Sequence, residues 1–368
     1  MLFDYTASEI LLFFILYGIT GMTAFIAAVY LLLRQGNAFA VDVTPPVRLR
    51  RWAASFFGMS ALSRVWWFLL LLRIDDVPSV DDVTCSMGYV AVIMLDFSIL
   101  LITLSGTLLA MLQDRRRSVL PAFFAMVPFV VLGVVVMVHP STLLMQIGIA
   151  YVLLLYIAFT VYMVFAVRQY GRWLCDNYAD LERKEVWLSL VAALACMMLF
   201  FFYVLTDASI VLMYVLHILY LVFYVFLLWR VETLPQLSSP VQSEQLPAAS
   251  SNIDVSNIEQ LLAEHCVGPQ LYLQHDLTLT ELAKALGTNR TYLGQYFSSR
   301  HITYNAYVNN LRIDYFTNRY KEVVRSRQSF TIQQLAHQSG YRSYSTFSLA
   351  FKNRMGRSVT DWMRNVAN

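Results

Sequence analysis

Charge is scarce in this chain, and so is cysteine. Only 14% of its 368 residues are Asp, Glu, Lys or Arg, against 58% hydrophobic, and the mean hydropathy is +0.54. A water-soluble protein so apolar would expose large sticky patches, which argues against a soluble protein throughout. The four cysteines, Cys85, Cys175, Cys196 and Cys266, share no metal-type spacing. In the topology reasoned below only Cys85 lies outside the membrane, so no internal disulfide is expected, and packing or inert roles suit all four. No CxxC, no HExxH, no phosphate loop and no nucleophile motif occurs. The expectation is a non-enzyme, with no cofactor and no metal.

What the chain has instead is long apolar runs, confined to the residues before about Arg230. A membrane span needs about 20 mostly apolar residues. Seven segments qualify, at roughly 10–33, 52–72, 87–112, 119–138, 143–167, 187–206 and 209–229. The first is followed by Ala38-Phe39-Ala40, which resembles a leader cleavage site. However, Asp4 and Glu9 precede it with no Lys or Arg, and the run is too long for a leader core, so a retained helix is expected.

The Lys/Arg bias sets the orientation. With the N-terminus outside, the inner loops hold Arg34, Arg48, Arg50 and Arg51, then Arg115, Arg116 and Arg117, then Arg168, Arg172, Arg183 and Lys184, and finally Arg230. The outer side holds Arg73 beside Asp75, Asp76, Asp81 and Asp82. An odd number of spans then leaves the C-terminal part in the cytoplasm. The outer loops are too short for a folded sensor, so a signal must be read within the bilayer, at its outer face or through a partner. Arg64, Asp96 and His217 fall inside spans, roughly 12–15 Å deep at about 1.5 Å per residue. Intramembrane charge is costly and usually paired. An Arg64–Asp96 ion pair with His217 nearby is the expected arrangement, either as a possible intramembrane signal site for a small molecule or membrane protein, or as a structural lock between helices. The dense aromatics, Trp66, Trp67, Tyr151, Tyr156 and Phe200 to Tyr203, read as packing or bilayer-facing groups.

Residues 231–252 are rich in Pro, Ser, Gln and Ala and lack apolar periodicity, which reads as a flexible tether. Its reach would be about 25–30 Å root-mean-square.

The C-terminal part differs in kind. Residues 269–368 hold 13 Lys and Arg against 5 Asp and Glu, a surplus of 8 positive charges, while the rest of the chain is net acidic. This makes the basic part, 269–368, the only plausible nucleic-acid surface. Ser256 is a candidate cap for a short helix through His265, with Ile258, Leu261 and Leu262 inward. Thr280 then caps a helix buried through Leu282, Ala283 and Leu286, Gly287 turns the chain, and Thr288 caps a second helix with Tyr292, Leu293, Tyr296 and Phe297 inward. About fifty residues on, the pattern recurs: Ile332, Leu335 and Ala336, then Gly340, then a Ser343-capped helix packing Phe347 and Phe351. A helix at roughly 304–324, carrying Tyr307, Val308, Leu311, Ile313 and Tyr315, separates the two units.

Over about residues 270–368 these features resemble the AraC/XylS family of bacterial transcription regulators. The matching residues are Leu282-Ala283, Gly287, Tyr292-Leu293, Phe297, Tyr307 to Ile313, Ile332, Leu335-Ala336, Gly340-Tyr341, Phe347, Phe351-Lys352 and Gly356. The resemblance implies two three-helix units joined by one long helix, with recognition helices near 288–300 and 343–355 entering adjacent major-groove segments of double-stranded DNA. It places Arg290, Thr291, Gly294, Gln295 and Ser298 at the first groove, and Tyr344, Ser345, Thr346 and Ser348 at the second. Arg290 and Gln295 could contact bases in bidentate fashion, whereas Arg300, Arg342, Lys352, Arg354 and Arg357 would neighbour phosphates or face solvent. It also implies activation through RNA polymerase. Departures are His301 near a usual Gly, Phe316 where a small residue is common, Val359 where Pro is usual, and Gly294, which has no side chain to read with.

The fold expected is thus all-α: a polytopic transmembrane bundle over 1–230 acting as sensor or anchor, a linker over 231–252, and an AraC-type domain over 253–368. The function expected is a bacterial inner-membrane, one-component transcription regulator, with a homodimer possible. The alternatives are a transporter, or a membrane scaffold, with an attached DNA-binding domain. Solute uptake by vesicles containing the pure protein would mark the transporter. Loss of transcription when an inert anchor replaces the spans would separate regulator from scaffold.

Overall fold

The structure, a computed structural model, describes residues 6–34, 36–71, 87–139, 141–205, 210–237, 255–327 and 329–367, without the side chains of 71, 87–89, 199–205, 255–256 and 366–367. Cys85, Arg73, the four outer aspartates, the side chains of Phe200 to Tyr203 and of Ser256, and most of the expected tether therefore lie outside the description. The described residues form helices and no strand. The chain divides into two compact units: unit 1 is Met1–Arg168 with Val186–Ser239, and unit 2 is Gln169–Glu185 with Pro240–Asn368.

Unit 1 contains α1 (Ala7–Leu33), α2 (Val47–Leu71), α3 (Met87–Met111), α4 (Leu120–Val138), most of α5 (Thr142–Asn177), α6 (Trp187–Leu205) and α7 (Ile210–Thr233). Six of these, all but α6, are long and apolar enough to cross a membrane among the described residues. In α6, where the seventh span is expected, the described side chains make up a shorter apolar helix, Trp187–Met198. Helix α1 begins in a capping box: the Glu9 amide donates to Thr6 Oγ1 and Glu9 Oε2 accepts from the Thr6 amide. One face of α1 presents Leu11, Ile15, Met22 and Ile26 outward, while Thr20, Ala24, Ala27, Ala28 and Leu31 are buried. Helix α2 lies against α1, and a Cβ at Gly58 of α2 would lie 3.9 Å from the Ala28 methyl of α1. Small residues let apolar helices approach closely where lipid supplies no hydrophobic drive between them. The same logic holds at Gly106 of α3, where a Cβ would overlap the Trp52 ring of α2, and at Gly133 of α4, where one would overlap Met94. Several hydroxyls on these helices donate within their own helix, as with Ser60 to the Phe56 carbonyl and Thr107 to the Thr103 carbonyl, both 2.8 Å.

Helix α7 runs past the expected span to Thr233, and the chain stays packed to Leu237. The Gln236 amide donates to the Thr44 carbonyl (2.9 Å) and the Leu237 amide to Gln113 Oε1 (2.8 Å). The first residues of the expected tether are thus built into unit 1. They carry Glu232, whose side chain is fully buried beside Arg50 (3.3 Å) and accepts from Tyr30 Oη (3.2 Å).

In unit 2, α8 (Val255–Leu262) runs into a π-turn over Ala263–Val267. Helices α9 (Leu279–Ala285) and α10 (Arg290–Ser299) complete a first three-helix module, and α12 (Ile332–Gln338), α13 (Tyr344–Met355) and α14 (Val359–Ala367) form the second. Between them runs α11 (Tyr304–Arg325). It gives Tyr304 and Val308 to the first core and Ile313, Phe316, Tyr320 and Val323 to the second. Phe316, where a small residue is common, fills the second core: its ring lies 4.5 Å from Phe347 and 5.8 Å from Phe351.

The caps fall slightly earlier or later than expected. Thr278, not Thr280, caps α9 in a capping box with Glu281, and Asn289, not Thr288, caps α10 by accepting the Tyr292 amide at 2.8 Å. Each shift reflects where the backbone first turns helical, which polar spacing alone leaves open by a residue or two. Ser343 caps α13 as expected. Tyr292 is 45% exposed rather than inward, because Leu293 and Phe297 already fill that stripe of α10. Gly287 turns the chain at φ +65°. His301 takes φ +53°, so the position favours glycine, as the departure from the family pattern suggested. His301→Gly should therefore raise the stability of the first module by about 1 kcal/mol. Slower amide exchange in α10 would show this; unchanged exchange would contradict it.

Candidate nucleic-acid interface

Helices α10 and α13 are the second helices of the two helix-turn-helix units. Thr291, Gln295 and Ser298 are exposed on α10, as are Tyr344 and Ser345 on α13. Gly294, Thr346 and Ser348 are half-buried, and Lys352 is exposed on the last turns of α13. Arg342, just before the α13 cap, pairs with Asp276 at the surface. Arg300 pairs with Glu259, and Arg354 lies 3.6 Å from Asp314. Exposed pairs of this kind are worth little, so each arginine can exchange its carboxylate for a phosphate.

Arg290 behaves differently from its expected place at the groove. It is half-buried, and its Nε donates to Asn177 Oδ1 at 2.8 Å. Asn177 is the last residue of α5 and is itself oriented by donating from Nδ2 to the Trp173 carbonyl (2.7 Å). The residues after it continue along unit 2. Tyr178 forms a lone antiparallel bridge with Thr278, and the Ala179 amide donates to the Leu277 carbonyl at 3.2 Å. Asn305 Nδ2 donates to the Ala179 carbonyl (2.7 Å) and more weakly to that of Tyr178 (3.2 Å). The Thr346 hydroxyl donates to Glu182 Oε2 at 3.3 Å.

A second residue escaped the sequence reading. Arg312 is 1% exposed in the middle of unit 2. Its Nε donates to the Tyr272 carbonyl (2.7 Å) and one Nη to those of Gln274 (2.6 Å) and His275 (3.3 Å), while its guanidinium stacks on the Tyr341 ring at 5.4 Å. Burial pushes its pKa down, with Tyr341, Tyr304 and nearby aspartates opposing. Arginine starts so high that the group stays charged. Gly340, at φ +88°, makes room: a Cβ there would come within 2.9 Å of both Arg312 Nε and the Leu273 carbonyl. The signal in the sequence was the spacing Val308, Arg312, Phe316, which sets an arginine in the inward stripe of α11.

Within unit 1 the expected Arg64–Asp96 ion pair does not form among the described residues. Arg64 Nη1 instead meets His217 Nε2 at 3.3 Å, and its guanidinium lies over the rings of Tyr17 (5.1 Å) and Tyr220 (5.6 Å). Asp96 Oδ2 accepts from Trp67 Nε1 at 3.0 Å. Ring faces and a histidine thus meet the cation, because α1 and α7 bring aromatics to Arg64. His217 is fixed through Nδ1 and the Met213 carbonyl at 2.7 Å.

Two capped helix-turn-helix units on one shared helix, in the basic part of a chain otherwise made of apolar helices, define a DNA-binding module of the transcription-regulator class attached to a membrane-type region. Residues 282–365 match the family described as "Helix-turn-helix domain", of AraC type. That family binds double-stranded DNA and is not one of enzymes. The match covers the C-terminal part alone, and the six long apolar helices are compatible with a multi-pass membrane protein. No curated protein and no solved structure matches the chain.

Proposed function

We propose that the protein is a one-component transcription regulator held in the bacterial inner membrane, with its N-terminus outside and unit 2 in the cytoplasm. The observation that carries this reading is the pair of capped recognition helices, α10 and α13, in a basic module joined to apolar helices. Thr291, Gln295 and Ser298 read one major-groove segment, Tyr344, Ser345 and Ser348 the next, and Arg342 and Lys352 hold the phosphates. Residues 1–230 anchor the module and sense the signal, a small molecule or a membrane protein, with Arg64, Asp96 and His217 as the polar centre inside the bilayer. Two copies engage the DNA together, and bound protein recruits RNA polymerase. The Lys/Arg-rich inner loops support the orientation, and tethering in a plane supports paired binding through effective concentration.

The test is to map chromosomal DNA crosslinked to the full-length protein in its native membrane, against a Gln295→Ala/Tyr344→Ala variant. Discrete peaks are expected in the wild type and a loss of tenfold or so in the variant, since each base contact contributes about 1–3 kcal/mol of discrimination. Equal occupancy in both would remove these residues from the reading surface.

A further inference from the structure

Residues 177–182 bond to the first turns of both recognition helices. Asn177 takes the side chain of Arg290 at the first turn of α10, and Glu182 takes that of Thr346 at the first turn of α13. Between these contacts Ala179 is 2% exposed and belongs to the core of the first module, with Asn305 and Leu277 bonded to its backbone. The stretch is pre-shaped. Asp180 Oδ1 accepts the Glu182 amide at 2.9 Å, and Lys184 Nζ donates back to the Asp180 carbonyl at 2.8 Å. A carboxylate on the first turn of a helix such as α13 stands where a DNA phosphate is favoured.

We propose that residues 177–182 are a built-in competitor of DNA. They cover the start of both recognition helices, and they must leave Arg290 and Thr346 before the two helices can seat in a duplex. This inference rests on the DNA-binding reading of α10 and α13. The apparent affinity for DNA is then the intrinsic affinity reduced by the fraction of molecules in which the cover has left. Because Asn177 ends the same helix that begins at Thr142, a turn or slide of α5 acts directly on the Arg290 contact. That gives a signal in the apolar region a route to the DNA face with no second protein.

The experiment uses the full-length protein in lipid nanodiscs and a fluorescent 40-base-pair duplex as probe, at low salt. Hydrogen bonds to charged groups each shift an equilibrium by about tenfold, so Asn177→Ala/Glu182→Ala, which removes two of them, should bind the duplex up to about a hundredfold tighter than wild type. Gln295→Ala, which leaves the cover intact, should bind more weakly. A second variant closes the cover instead. Tyr178→Cys/Thr278→Cys joins bridge partners whose spacing suits a disulfide, with Cys175→Ser to remove a nearby thiol. Oxidation should abolish duplex binding and reductant restore it. If the cover variant binds no tighter, or the oxidised protein still binds, while Gln295→Ala weakens binding, the cover is wrong and the DNA face stands. If no form, including the cover variant, binds the duplex, both fall.

Discussion

Arg312→Ala should loosen both helix-turn-helix units of unit 2 together. Its guanidinium satisfies three carbonyls in the 272–275 loop of the first module and stacks on Tyr341 of the second. Truncation takes this donor from the carbonyls of Tyr272, a buried residue, and His275, while that of Gln274 keeps the Leu277 amide (3.4 Å), and it opens a void the size of the side chain. Each orphaned buried group costs about 1–3 kcal/mol, so a total of at least 3 kcal/mol is expected. Arg312→Lys should recover only part, because one ammonium on a flexible stem cannot reproduce the planar fork. Hydrogen exchange on the full-length protein would read this as faster exchange in α10 and α13 alike. Faster exchange confined to one module would show that Arg312 does not join them.

The second large effect is expected in unit 1. Glu232 is fully buried, while its partner Arg50 is 17% exposed at the side chain. Glu232→Ala would leave the Arg50 guanidinium in a mostly dry site, bonded to the Arg34 carbonyl (2.5 Å) but with no counter-charge from Glu232, and would strip Tyr30 of its acceptor. Breaking a buried pair from one side costs about 3–5 kcal/mol. The thermal midpoint of the detergent-solubilised protein should fall by about 5–10 °C, and Glu232→Gln, which keeps an acceptor for Tyr30, should fall less. An unchanged midpoint would mean that water already reaches Arg50.

Much of this architecture was legible because it rests on local signals. Apolar runs of span length marked α1 to α5 and α7, and the recurrence of Leu282-Ala283 and Gly287 as Leu335-Ala336 and Gly340 marked the paired units. What escaped depends on packing between distant stretches. Nothing within residues 169–185 says that Ala179 will complete a core formed by residues 258–308, so a loop between spans passed as a mere carrier of positive charge. Arg290 looked like a free reading residue for the same reason. Arg64 and Asp96 looked like partners because opposite charges in a membrane invite pairing. The outcome was decided by the rings of Tyr17 and Tyr220 and by Trp67, whose directions no spacing rule fixes. Arg312 was hidden by its type: arginine in a basic module suggests surface until its place in the Val308–Phe316 stripe is weighed.

The make-up of unit 2 from two separate stretches carries a consequence for how such a module could be set free. Helix α5 has 36 residues, a length of about 54 Å, nearly twice the hydrocarbon thickness of a bilayer at about 30 Å. Its last residues, 169–177, belong to the module that the C-terminal residues build. Two legs of the chain, residues 169–185 and the stretch from 240 on, thus make up the module. A protease cutting only between residues 238 and 254 would sever one of them and leave the fragment bound through Asn177, Ala179 and Glu182. Liberation would need a second event, the unfastening of that noncovalent leg, so cleavage alone is no switch.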